Sequence, residues 1–335
     1  MPNKSELFFD IETTGLGVWK SHLTVIGCGF INDDEEFEVR QFVVEKPSLE
    51  MKALSDFSEF ASGFDTVVHF NGKTFDIPYV QKKLEFYALS DVFSEKESKD
   101  LFVSVKPFKK LFELPDLKQK SVAKLLDIKR KDTISGFECI TCYQKYLESG
   151  DEEYLDKLLL HNYEDVQGLY RISQLQNCGC LLCGDYEVLG YKETEDALVI
   201  TLKLHDPIPF GISRRLEDFT LEMNGKDAAI TLPKFSGELK YYFSDWKDYF
   251  YLPAEGRAVH RSIGCYVDKE HRQKATKETA FEPVSGVFYR QVKAVITPSF
   301  RNEFKGSEFF RASDIKDSLQ LKALVDDVLQ LFLRS

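Results

Sequence analysis

Two carboxylates two residues apart, Asp10 and Glu12, lie in the run Glu6-Leu-Phe-Phe-Asp-Ile-Glu-Thr-Thr-Gly-Leu16. Its apolar lead-in and Thr-Thr-Gly exit read as a strand that breaks into a turn. Residues i and i+2 of a strand project to the same side, so both acids share one face of a sheet. Like charges that close either share a proton or are held by a cation, and hard oxygen donors suit Mg²⁺ or Mn²⁺. An isolated Asp-x-Glu is more often a pair of solvated acids, so its meaning depends on what the rest of the chain brings beside it.

Two further segments bring acids. In Asp65-Thr-Val-Val-His-Phe-Asn-Gly-Lys-Thr-Phe-Asp-Ile-Pro-Tyr-Val80, the run Thr66 to Phe70 reads as a buried strand that ends in a loop at Asn71-Gly72. Asp76 follows where a helix should start. Pro78 fits the first turn, and Ile77, Val80, Leu84 and Tyr87 recur at helical spacing. Asp76 therefore reads equally as a helix N-cap or as a site acid. Farther on, Leu155, Leu158, Leu159, Val166, Leu169 and Ile172 form a helical stripe, which sets His161 and Asp165 one turn apart on a shared face. Alone, that pair would be an ordinary surface contact. Together, three segments each deliver an acid to a strand end or a helix face.

In this order, the segments resemble the three motifs of the DnaQ-like (DEDD) 3′-to-5′ exonucleases, which have a ribonuclease H-like fold. Phe9-Asp-Ile-Glu-Thr-Thr-Gly-Leu16 looks like the first motif, Asn71-Gly-Lys-Thr-Phe-Asp76 the second, and His161-Asn-Tyr-Glu-Asp165 the third. The resemblance implies that Asp10, Glu12, Asp76 and Asp165 are the four catalytic, metal-binding acids. His161 stands four residues before the last acid, the place of a Tyr in the tyrosine-type branch, whereas the histidine-type branch usually sets its His five before. That short spacing, with the stretch Lys118 to Arg130, looks most like the YprB-like bacterial branch of ribonuclease H-like proteins.

The chemistry follows from the residue types. Two divalent ions about 4 Å apart stabilise the attacking and leaving oxygens of a phosphodiester, and four carboxylates are what two such ions require. A water nucleophile must lose a proton, which an imidazole with pKa near 6.5 accepts close to neutrality. His161 is the expected base; Tyr163 points about 200° around the helix from it. Asp10 is expected to bridge both ions, Glu12 and Asp165 to favour one each, and Asp76 to act through coordinated water or one ion.

The remaining elements fit an α/β fold, a ribonuclease H-like mixed five-stranded sheet flanked by helices, over residues 1–177. His22 to Ile31 and Glu36 to Val44 make an antiparallel meander with the first strand. A helix over Leu49 to Ala61 leads into the Thr66 strand, Leu101 to Val105 reads as a short fifth strand, and helices fill the span to Gln176.

A formal net charge of −11 and a pI near 5.2 exclude a global footprint for duplex binding, so any grip on nucleic acid must be local. Between Ser104 and Lys131, nine cations face three anions. Lys118, Lys120, Lys124, Lys129 and Arg130 can track the phosphates of a single strand, or can be the solvated face of amphipathic helices. Thr13, Thr14, Leu16, Asn71 and Phe75 are candidates for holding a terminal nucleotide, with core and turn roles as the alternative.

Residues 185–335 are expected to form a second, β-rich α+β domain of unknown fold, from the alternating runs Tyr186–Tyr191, Ala197–Leu204, Asp218–Met223, Ala228–Leu232 and Leu239–Phe243. Its end, with Leu321, Leu324, Val325, Val328, Leu331 and Phe332, reads as an amphipathic helix. The aromatic stretch Tyr241 to Pro253 can stack bases or pack a β-core. No apolar run reaches membrane length and the start Met1-Pro-Asn-Lys-Ser-Glu6 has no signal-peptide core, so a cytoplasmic protein is expected. Seven irregularly spaced cysteines argue against a disulfide framework, and a structural zinc on Cys139, Cys142, Cys180 and Cys183 is disfavoured because the first pair falls in a helical stretch. The expected activity is a two-metal-ion 3′-to-5′ exonuclease on single-stranded DNA or RNA. The alternatives are a ribonuclease H-like endonuclease and a catalytically silent nucleic-acid-binding or scaffold protein.

Overall fold

The computed structural model describes residues 5–333. They divide into two compact units, the first ending at Gly179 and the second beginning at Cys180. Residues 1–4, part of the start read for a signal peptide, lie outside the described residues.

The first unit runs β1 (Glu6–Thr13), β2 (Leu23–Ile31), β3 (Phe37–Val43), α1 (Glu50–Ala61), β4 (Thr66–His69), α2 (Asp76–Phe86), β5 (Glu97–Asp100), α3 (Leu101–Val105), α4 (Gln119–Leu125), α5 (Gly136–Ser149) and α6 (Glu152–Ser173). One mixed sheet has the order β3-β2-β1-β4-β5, with β1 to β3 antiparallel and β4 and β5 parallel to β1. Alternation along β1 separates two environments. Leu7, Phe9 and Ile11 join Phe57 of α1 and Val80 of α2 in one core. Phe8 lies on the other face, edge-on to Phe37 and Tyr170, and Asp10 and Glu12 follow it there.

That second face is covered by α6, which packs closely because β2 offers glycine beneath it. A methyl group at Gly27 would stand 2.7 Å from Val166 Cγ2 and would collide with the Asn162 amide; one at Gly29 would stand 2.8 Å from Val166 Cγ1. The helix is started by Asp151, whose side chain accepts the Glu153 N–H at 3.0 Å, with Glu152 and Glu153 in the first turn of the dipole. Next to it, α5 opens with a reciprocal capping box between Ser135 and Glu138 and stops at Gly150, φ 72°.

The expected strand over Leu101 to Val105 is a helix, and the fifth strand is the preceding Glu-Ser-Lys-Asp. Asp100 explains the switch: it is extended, and its side chain accepts the Phe102 N–H at 3.0 Å, capping α3. As a sheet edge, β5 needs no apolar pattern, and its Lys99 pairs with Glu6 at 2.6 Å.

In the second unit, α7 (Gly179–Cys183) precedes β6 (Tyr186–Glu193), β7 (Ala197–Leu216), β8 (Phe219–Tyr242), β9 (Tyr249–Leu252), β10 (Arg257–His260), α8 (Arg261–Gly264), β11 (Gln273–Lys274), β12 (Phe281–Gln291), β13 (Glu308–Phe310) and α9 (Ser318–Leu333). A five-stranded sheet has the order β13-β12-β8-β7-β6, and a small one the order β10-β9-β11. Three expected runs, Asp218–Met223, Ala228–Leu232 and Leu239–Phe243, merge into the single strand β8. Asn224-Gly225 does not reverse the chain; it lies where the β7–β8 ladder shifts register, with Gly225 at φ 58°. Leu321, Leu324, Val325, Val328 and Phe332 of α9 are buried. Aromatics of the Tyr241–Pro253 stretch pack on one another and on β12: Phe243 stacks on Tyr249 at 4.1 Å, and Tyr242 meets Phe281. No helix among the described residues is long and apolar enough to cross a membrane.

The close seat of α6 gives a stability prediction. Gly27→Ala should destabilise the unit by about 1–3 kcal/mol through overpacking, whereas Gly136→Ala, whose added methyl meets nothing within 4 Å, should be neutral. Thermal melts of the two variants should differ by several degrees; equal midpoints would mean that α6 does not need glycine beneath it.

Candidate metal centre

Three elements bring the acids together. β1 supplies Asp10 and Glu12, whose side chains face α6, and α6 supplies Asp165; ligand oxygens from these three residues all lie within 4.8 Å of one another. Asp76 is the first residue of α2. The cap position belongs to Phe75, with no side-chain cap bond, so Asp76 is not the N-cap of its helix. Its carboxylate instead accepts the backbone N–H groups of Ile11 and of Asp76 itself, and its charge reaches both Asp10 and Glu12.

The electrostatic consequence is large. Burial, then Asp165, Asp76 and Glu12, push Asp10 well above the carboxylate range, and only the Asn162 amide, donating to Oδ2 at 3.0 Å, draws it back. Burial followed by Asp165 and Asp76 raises Glu12 to about 8, and burial raises Asp76 to about 6. Acids so placed can all ionise at neutral pH only beside a cation. An all-oxygen donor set of this kind fits hard divalent ions such as Mg²⁺ or Mn²⁺, with Asp10, Glu12, Asp76 and Asp165 as the residues that would hold them.

His161 sits at the edge of this group, its side chain 4% exposed. Nε2 lies 3.6 Å from Glu12 Oε1 and 3.3 Å from Asp165 Oδ2. Nδ1 lies 2.9 Å from Asp132 Oδ2, an ion-pair distance at an angle too bent for a straight hydrogen bond. Despite its burial, Asp132 stays below the usual carboxylate range, held there by the Ile134 N–H at 2.9 Å, by His161 and by Arg130 at 3.0 Å. Carboxylates thus face both ring nitrogens, Asp132 at Nδ1 and Glu12 with Asp165 at Nε2.

The loop carrying Asp132 is tied to α6 by charge. Glu164 accepts the backbone N–H groups of Lys131 at 2.8 Å and Asp132 at 3.0 Å, and Arg130 bonds Asp165 Oδ1 as well as Asp132. Arg130 thus lies inside the acid cluster, already paired with three carboxylates, Asp165, Asp132 and Glu164. Lys118, Lys124 and Lys129 are exposed, while Lys120 is drawn to the Ile134 carbonyl at 3.1 Å. Thr13 donates to the Gly15 carbonyl and Thr14 accepts the His22 N–H, both at 2.9 Å, so they shape the turn after β1; Leu16 beyond them is 82% exposed. Asn71, at φ 60°, gives its N–H to Asp100 at 2.8 Å, and Phe75 packs on Tyr79. Tyr163 is exposed, its hydroxyl bonded to Gln167.

Sequence reasoning missed Asp132, Asn162, Glu164 and Asp100. Asp132 sits in an irregular loop without periodicity, and Asp100 ends a polar edge strand that no apolar pattern marks. Asn162 and Glu164 were readable as neighbours of His161 and Asp165, and the signal was their place on the same helix. Asn162 is fully buried, bridging Gln41 at 2.9 Å to Asp10.

Residues 7–177 match the RNase H superfamily. The chain belongs to that family. No curated protein sequence matches it. Among solved structures, this RNase H-superfamily chain is similar to Brucella melitensis NrnC bound to pGG, at 17% identity over 54% of this chain and 75% of that one, TM-score 0.32. It is also similar to E. coli exonuclease I in complex with dA16, at 12% identity over 61% of this chain and 56% of that one, TM-score 0.32. In the dT13 complex of E. coli exonuclease I, the values are 10% identity, 99% and 75%, with a TM-score of 0.35.

The crowding of the acids sets a pH dependence. An ordinary Glu, pKa 4.5, ionises in the unfolded chain long before Glu12, at about 8, does so in the folded one. Its contribution to stability is therefore full below pH 4.5 and is lost as pH rises toward 8. In chelator, Glu12→Gln should gain on the wild type progressively across that window in denaturant melts. A gap that does not change with pH would contradict the raised carboxyl.

Proposed function

We propose that this chain is a metal-dependent 3′-to-5′ exonuclease that hydrolyses phosphodiester bonds of single-stranded DNA or RNA, in the DnaQ-like (DEDD) group and most similar to its YprB-like branch. The observation that carries the reading is the meeting of Asp10, Glu12 and Asp165 within 4.8 Å, with Asp76 in electrostatic reach and His161 Nε2 facing two of them. Bound to these acids, two Mg²⁺ or Mn²⁺ ions would neutralise charge developing on the phosphodiester oxygens.

The chain's own residues do the rest. Nε2 of His161 accepts the proton of the attacking water, and Asp132 orients the ring and stabilises the imidazolium that results. Asn162 fixes the rotamer of Asp10. Arg130 partly offsets the charge of Asp165 while leaving its Oδ2 turned inward. Exposed Lys118, Lys124 and Lys129, with Lys120, offer contacts for a phosphate backbone, and Thr13, Thr14, Leu16, Asn71 and Phe75 flank the acids where a terminal nucleotide is held. Local cations on a chain of net charge −11 favour a single strand over a duplex. Seven free thiols suit a reducing, cytoplasmic setting.

The test is a time course on 5′-labelled single-stranded DNA and RNA with Mn²⁺, Mg²⁺ or chelator. A metal-dependent ladder shortening from the 3′ end supports the proposal; internal cuts indicate an endonuclease, and intact substrate a binding protein. Asp10→Ala should abolish cleavage. His161→Ala should slow it by about 10²- to 10⁴-fold with metal affinity retained, and loss of metal binding instead would make His161 a ligand.

A further inference from the structure

A soft donor stands among the hard ones. Cys139, near the start of α5, is buried, and its sulfur, a His161 nitrogen and a Glu12 oxygen all lie within 4.8 Å of one another. The hydrolytic mechanism does not use this thiol. Packing against Val25, Tyr143 and Leu158 accounts for a small apolar side chain at this position, but not for sulfur beside a carboxylate and an imidazole.

The two overlapping donor sets differ in chemistry. Asp10, Glu12 and Asp165 offer oxygen alone and suit Mg²⁺ or Mn²⁺. Exchanging Asp10 and Asp165 for a thiol and an imidazole turns the preference toward Zn²⁺. Spacing agrees as well. With bonds of about 2.0–2.3 Å, neighbouring donors around a tetrahedral zinc stand about 3.3–3.7 Å apart; His161 Nε2 is 3.6 Å from Glu12 Oε1, and the Cys139 sulfur lies within 4.8 Å of both residues' donors.

We propose that Cys139, His161 and Glu12, with water as fourth donor, form a Zn²⁺ site that overlaps the catalytic metal centre and switches the enzyme off. Zinc there takes the imidazole lone pair needed to accept the water's proton and a carboxylate needed by the activating ions, and the Cys139 thiol proton is released to solvent. Zinc and the activating ions therefore compete. The inhibitory half of the proposal rests on the exonuclease reading; the binding half does not.

Co²⁺ substitution tests the binding half on the full chain. The wild type should show thiolate-to-Co²⁺ charge-transfer absorption that Zn²⁺ displaces. The band should be lost in Cys139→Ala and in the more nearly isosteric Cys139→Ser, and kept in Cys142→Ala. Mass spectrometry should also find Cys139 of the unmutated protein protected by Zn²⁺ from slow alkylation, which assigns the ligand without any substitution. In cleavage assays, each protein normalised to its own Mn²⁺-supported rate, Cys139→Ala should need at least tenfold more Zn²⁺ for half-inhibition. No band in the wild type, a band of equal strength without Cys139, or Zn²⁺-insensitive alkylation of Cys139 overturns the zinc site. A zinc site in a protein that cleaves nothing would keep the binding half and remove the exonuclease reading, whereas normal cleavage without a thiolate band would do the reverse.

Discussion

Negative charge confined to a few ångströms of buried space is the constraint around which the first unit is built. Burial raises the proton affinity of Asp10, Glu12 and Asp76, and the charges of Asp165 and Asp76 raise that of Asp10 and Glu12 further. Left uncompensated, such a group works against folding at neutral pH, so each acid is set on an element that something else stabilises. β1 is held by its apolar face, α2 by Ile77, Val80 and Leu84, and α6 by the stripe that includes Leu158, Val166 and Leu169. The chain also supplies part of the countercharge itself. Arg130 bonds Asp165, and the Asn162 amide donates to Asp10.

Close approach is the second half of that arrangement. Asp10 pairs with Gly27 across the sheet, and the bare backbone of Gly27 lets α6 descend until Asn162 reaches Asp10. Behind the other face, fully buried Glu50 gathers the Leu23 N–H at 2.7 Å, the Tyr87 hydroxyl at 2.8 Å and Lys83 at 3.1 Å. Burial alone would raise its carboxyl, but these donors hold it below the usual range, so it stays charged and ties α1 and α2 to β2. The site is thus clamped from both sides of the sheet, which suits a centre whose geometry must not relax as like charges push apart.

Much of this was legible in the residues, and the exceptions share a cause. Two-residue alternation placed Asp10 and Glu12 on one face because β1 has an apolar face to contrast with it. Helical spacing did the same for His161 and Asp165. Periodicity fails where burial does not set the pattern. β5 is an edge strand of polar residues, so the apolar run after it drew the expectation one element too far. Asp132 lies in an irregular loop, held by a guanidinium and backbone N–H groups rather than by packing. Arg130 read as one of a row of cations because sequence shows charge but not which carboxylate claims it. In the second unit, three short alternating runs read as separate strands, yet the single long strand β8 takes them in, with a register shift against β7 near Gly225.

Calorimetric titration of Mn²⁺ into the chelator-treated protein asks whether these carboxylates form a cage for divalent ions. A cage should give saturable binding of two ions per chain, weakened at least tenfold by Asp10→Asn and by Asp165→Asn. Absence of binding, or binding indifferent to both substitutions, would contradict it.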